Sequence, residues 1–155
     1  MTKPSGNVRR IVRLSILIFV IWGAFTLVRG YWQRDEQARE TAQAYEFVEG
    51  HGELISHLAC FCGCVKRNSH SSLDTCFVSR RDESGRVIAR DPHAITCPVC
   101  ISEARDAEHM LHEGKSAAEI RRAVDARYDS GDASMKTATP PPPPVAEPPP
   151  SARAQ

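Results

Sequence analysis

The chain has 155 residues, a mass of 17.1 kDa, a formal charge of +1, 6% aromatic residues and six cysteines. Setting aside an apolar stretch at 11–28, an end, 136–155, that holds eight of the eleven prolines, and the short segments flanking them leaves 97 residues, Asp35 to Gly131, to make a core. That is too little for a large enzyme with a deep cleft. There is no Gly-rich phosphate loop after a strand, so a nucleotide fold is excluded as well. From Gly30 onward 15 basic residues stand against 19 acids, a net charge of −4, which excludes nucleic acid as a partner of the globular part.

Lys3, Arg9, Arg10 and Arg13 precede or enter the apolar stretch, and every acid follows it. Leu14 to Val28 is an apolar run that Ile11 and Val12 lengthen, while Arg13 snorkels to head groups and Tyr31 and Trp32 sit at the far interface. The run ends in Leu27, Val28 and Arg29 without an A-x-A-like cleavage site, and the first cysteine comes only at position 60. The pattern predicts an uncleaved single-pass signal anchor over 11–32 in the cell membrane. Residues 1–10 are then a basic cytoplasmic segment, and the rest lies outside the cytoplasm, in the periplasm or cell envelope.

After the anchor, RDEQARETAQAYEFVEG reads as a helix with Ala38, Ala42, Tyr45 and Val48 on one stripe, broken by Gly50 and Gly52. ELISHL resumes a helical turn, Lys66 to Thr75 reads as a polar loop, and CFVSRR and RVIAR form a short β-hairpin closed through Gly85. Thr96 is the expected N-cap of a helix from CPVC to Gly114, with Pro98 in its first turn and Cys100, Ala104, Ala107 and Leu111 facing inward. Ser116 and Glu119 form a capping box for a second helix, on which Ile120, Val124 and Tyr128 share a face. The helical acids read as solvated faces. The fold class is therefore mainly α: an N-terminal transmembrane helix, a small cysteine-rich helical domain over 35–131 with one short β-hairpin, and a disordered proline-rich tail over 132–155.

The chemistry lies in the thiols. Cys60, Cys62 and Cys64 alternate in CFCGC, so their side chains point one way where the chain is extended, and Gly63 lets it curl by taking positive φ. Cys97 and Cys100 stand one turn apart at a helix start, as in a metal knuckle or a redox dithiol, and Cys76 opens the hairpin. His70 and His93 are the histidines placed to complete a site, whereas His51, His57, His109 and His112 read as solvated or helix-end residues. No C-x-x-C-H occurs, because Ile101 follows Cys100, and no catalytic constellation can be assembled.

ACFCGC, His70, Cys76 with Phe77, His93, CPVC and EGKSAAEIRRAVDARY, taken in that order, resemble the bacterial family named for its PCYCGC motif. The resemblance covers roughly 42–130, with Ala59 and Phe61 in place of the family's Pro and Tyr, and implies an anchored envelope protein. The C-terminal hairpin is also similar, more weakly, to the thiol reductase subunit of cytochrome c maturation, in which a C-x-x-C precedes helices joined by a like EGKS turn.

Three functions use the same thiols. In the first, Cys60, Cys62, Cys64, Cys76, Cys97 and Cys100, with His70 or His93, bind Cu(I) or Zn(II) and exchange it with a metal donor or acceptor. In the second, CPVC exchanges disulfides with an envelope partner. In the third, three disulfides staple the domain in one of 15 pairings. The crowding of CFCGC favours the first, because thiols separated by one residue do not pair with each other without strain.

Overall fold

A computed structural model describes residues 6–63 and 69–143. Cys64, most of the Lys66 to Thr75 loop's first half, the first five residues and the tail from Pro144 lie outside them. The chain divides into two units with the boundary between Glu40 and Thr41. As expected, the protein is mainly helical with one small antiparallel hairpin.

Helix α1 runs from Gly6 to Gly50, longer than the two separate segments that the composition predicts. Nothing between Val28 and Ala38 breaks it: Gly30 is the only weak helix former there, and its cost of about 1 kcal/mol is easily borne in so long a helix. In the first unit the side chains from Leu14 to Val28 are largely exposed, Phe19 by 74% and Leu27 by 78%. This helix is long and apolar enough to cross a membrane, a property that a signal sequence shares.

In the second unit the end of α1 buries Ala44, Tyr45, Phe47 and Val48, while Ala42 is exposed, as is Ala38 in the first unit. The inward face thus follows the two aromatic rings, which carry far more apolar area than single methyl groups. Tyr45 packs edge-on against Phe77 at 4.9 Å between ring centroids. Arg81 donates to the carbonyls of Val48 and Glu49 at 3.0 and 3.1 Å, which satisfies the free acceptors where α1 ends.

Helix α2 (Gly52–Ser56) delivers the chain to the first cysteines. Cys76, expected to open the hairpin, lies instead on a short helix α3 (Leu73–Phe77). The Thr75 hydroxyl accepts the Ser71 and Ser72 amides at 3.0 and 3.2 Å, and this local bonding folds a polar segment into a helical turn. Strands β1 (Val78–Arg81) and β2 (Val87–Arg90) pair antiparallel with irregular register, around a turn in which the Asp82 carboxylate accepts the amides of Ser84 and Arg86.

A 3-10 turn at His93–Thr96 precedes helix α4 (Pro98–His112). The N-cap is Cys97, one residue later than expected, because Thr96 is taken up by that turn. Helix α5 (Ala117–Tyr128) starts at the predicted capping box, with the Ser116 hydroxyl accepting the Glu119 amide. Ile120 and Val124 are buried as predicted, and the Tyr128 hydroxyl donates to Asp106 at 2.7 Å, joining α5 to α4.

The chain past Gly131 packs further than its composition suggests. After a 3-10 turn at Ala133–Met135, Thr137 is 1% and Thr139 8% exposed. Arg121, itself buried, donates to the carbonyls of His57, Thr139 and Pro140 and pairs with Asp125 at 2.9 Å, so the segment is strapped to α5.

Candidate metal centre

Backbone bonds fix the CFC segment residue by residue. The Cys60 amide donates to Thr137 Oγ1 at 2.8 Å and its carbonyl accepts the Thr137 amide at 3.0 Å. The Phe61 amide donates to Glu103 Oε1 at 2.8 Å, and the Gly63 amide to the Met135 carbonyl at 3.1 Å. Gly63 has φ +72°, the curl that the sequence requires there, and a Cβ on it would lie 2.6 Å from Met135 Sδ. Any side chain at 63 would therefore be strained in the backbone and would displace the Met135 side chain.

Three separate elements bring further ligand groups to this segment. Cys76 comes from α3, His93 from the 3-10 turn, and Cys97 and Cys100 from the start of α4. Cys60 Sγ lies 3.5 Å from Cys100 Sγ, too far for a disulfide of about 2.05 Å. Cys62 Sγ lies 3.6 Å from His93 Nε2. Among the described cysteines, Cys60, Cys62, Cys76, Cys97 and Cys100 are not joined in disulfides. The ligand atoms of Cys60, Cys62, Cys76 and Cys100 all lie within 4.8 Å of one another, and so do those of Cys62, His93, Cys97 and Cys100. A tetrahedral thiolate site with bonds of about 2.3 Å has ligand edges of about 3.8 Å, so these groups fit a bound ion with small side-chain adjustments.

His70 enters differently. It is buried, its Nδ1 lies 3.3 Å from Cys76 Sγ, its Nε2 faces Asp91 Oδ2 at 3.7 Å, and its ring packs on His93 at 5.2 Å between centroids. It thus orients a cysteine, the role of a group behind a ligand. His51, His109 and His112 are exposed and His57 is half-buried, all away from the thiols grouped above.

The surroundings disfavour bare thiolates. For Cys60 the hydrogen bond with Cys100 lowers the pKa, but the bonds with Cys62 and Cys76, together with burial, outweigh it and push the thiol up. Cys100 is pushed up by its hydrogen bonds with Cys60, Cys62 and Cys76 and by burial. Thiols this crowded stay protonated unless a cation is held among them. The helix start at Cys97 and Cys100 supplies a favourable field for that ionisation.

Glu103 is the residue that the sequence reading misplaced on a solvated face. It is fully buried, and among the described residues Oε2 has no hydrogen-bond partner. Burial pushes its carboxyl up to about 8 against the Phe61 amide, which lowers it. The signal was available: Glu103 follows Cys100 by three residues, which puts it on the same face as the buried Cys100, Ala104 and Ala107 stripe.

Fold and site together define a small cysteine-rich helical domain, following an apolar N-terminal helix, with thiols and an imidazole converging on a partly buried centre. Comparison with known proteins matches residues 32–142 to a family described as proteins of unknown function with a PCYCGC motif, and the chain belongs to that family. No curated protein and no solved structure matches it. The likeness of the C-terminal hairpin to the cytochrome c maturation subunit is not shown.

Proposed function

We propose that this protein is a membrane-anchored, extracytoplasmic thiolate protein that binds a soft metal ion, Cu(I) or Zn(II), for trafficking or sequestration. The observation that carries the reading is the convergence of Cys60, Cys62, Cys76, Cys97, Cys100 and His93, from separate elements, to ligand spacing. Soft thiolate donors select these ions, and a buried group of neutral thiols gains most from a cation that lets them ionise. Anaerobic purification of the full chain in detergent is expected to yield bound copper or zinc, and a strong chelator is expected to remove it with loss of helical signal in circular dichroism. Purification without metal, and with a circular dichroism spectrum indifferent to added ions, would refute the proposal.

The compartment follows from charge. Lys3, Arg9, Arg10 and Arg13 precede or enter the apolar helix and all 19 acids follow it, which orients the anchor with its N-terminus in the cytoplasm. A reporter that is active only outside the cytoplasm, fused after Pro143, is expected to be active. Activity of a cytoplasm-only reporter at the same point would reverse the orientation. Partners are then a metal donor or acceptor in the envelope and the membrane itself.

A further inference from the structure

The two ligand groups overlap, and the overlap fixes a stoichiometry. Cys62 and Cys100 belong to both, Cys60 and Cys76 to the first only, and His93 and Cys97 to the second only. Two tetrahedral ions that share one edge need six ligand atoms in all: two bridging and two terminal on each. Those are the numbers present among the described residues, with thiolates at both bridging positions. Two independent four-coordinate ions would need eight ligand atoms.

We propose that the centre is dinuclear, holding two soft ions bridged by the Cys62 and Cys100 thiolates, with Cys60 and Cys76 completing one ion and Cys97 and His93 the other. This rests on the reading under Proposed function and adds to it the number and arrangement of the ions. A thiolate sulfur has lone pairs enough to bond two ions, whereas an imidazole nitrogen has one, and the one histidine of the six ligands stands at a terminal position. Each ligating thiol releases its proton to bulk solvent and no electron is transferred.

Charge favours the second ion. The four thiolates Cys60, Cys62, Cys76 and Cys100 around a single Zn(II) carry −2, and five thiolates around two carry −1, in a place where Cys60, Cys76 and Cys100 have no exposed surface. The terminal ligands also differ in setting. Cys60 and Cys76 are buried, while Cys97 and His93 are half-exposed, so the second ion lies nearer to solvent and is the one placed to exchange with a partner.

The test uses the full chain in detergent micelles under nitrogen, titrated with Zn(II) and, in separate samples, with Cu(I), against a competing chromophoric chelator. Native mass spectrometry is expected to count two ions per chain for the ion that binds more tightly, and X-ray absorption at its edge to contain a metal–metal shell. Cys97→Ser and Cys76→Ser are each expected to bind one ion, and Cys62→Ser to lose both at the same chelator concentration. One ion per wild-type chain, or two ions without a metal–metal shell, overturns the dinuclear proposal and leaves the thiolate reading standing. No binding of either ion overturns the thiolate reading itself. The wild-type count and absorption spectrum decide the matter even if a cysteine variant fails to fold.

Discussion

Truncation after Gly131 is expected to destabilise the reduced cysteine domain by about 3–5 kcal/mol, seen as a lower urea midpoint with little change in slope. By composition this is a proline-rich tail, and removing a tail costs nothing. Its first residues, however, hold the Cys60–Gly63 loop. Thr137 bonds both backbone groups of Cys60, Met135 accepts the Gly63 amide, and Thr139 donates to the Ser71 carbonyl at 2.7 Å. Each net bond is worth about 1 kcal/mol, and leaving the buried Cys60 amide unpaired costs a further 1–3 kcal/mol. Arg121 would also lose two of the three carbonyls it holds and keep only His57 and Asp125. Truncation after Pro143 leaves all of these contacts in place and is expected to leave the midpoint unchanged. Equal midpoints for the two truncations would show that the strap contributes no stability.

The second large effect separates metal binding from disulfide exchange. A dithiol catalyst works through one attacking and one resolving thiol, so it depends on Cys97 and Cys100 and is indifferent to Cys62. A shared thiolate site depends on both segments. Cys62→Ser and Cys100→Ser are therefore both expected to lower metal affinity, each by on the order of 100-fold or more, since even partners behind the ligands are worth 10–100-fold. His70→Ala, which removes the group orienting Cys76, is expected to cost less than either. Affinity would be measured by chelator competition under nitrogen. Wild-type metal affinity in Cys62→Ser, together with loss of disulfide exchange in Cys97→Ser, would replace the metal assignment by a redox one.

What the sequence makes legible here is local. The α4–α5 hairpin can be read because its signals lie within a few residues of one another: the Ser116 and Glu119 capping box, Gly114 at φ +78°, and the four-residue spacing of Ile120 and Val124. The apolar helix is equally plain from composition. The cysteine site was legible as a set of residues but not as a geometry. Cys62 and His93 are 31 positions apart, Cys60 and Cys100 are 40, and no periodicity links them. The strap was the least legible, because Thr137 is buried through backbone pairing with a residue 77 positions away and carries no apolar pattern of its own. Glu103 shows a different failure. Treating acids as solvated overrode its position on the inward face, and its carboxyl is retained there by the Phe61 amide that it accepts. Cys76 was placed one element too late because a five-residue helix leaves almost no periodic trace, and the Ser72 and Thr75 hydroxyls that nucleate it also suit a loop.

The most direct measurement of the central claim is the oxidation state of the thiols in the intact cell. Cells would be quenched with acid, the chain denatured and treated with an alkylating reagent under nitrogen, and its intact mass determined. A thiolate centre predicts that all six cysteines take up the reagent, and that chelator-treated and metal-loaded samples differ in how fast they do so before denaturation. A chain that takes up none, with a mass six hydrogens below the reduced form, would be stapled by three disulfides and would contradict the account.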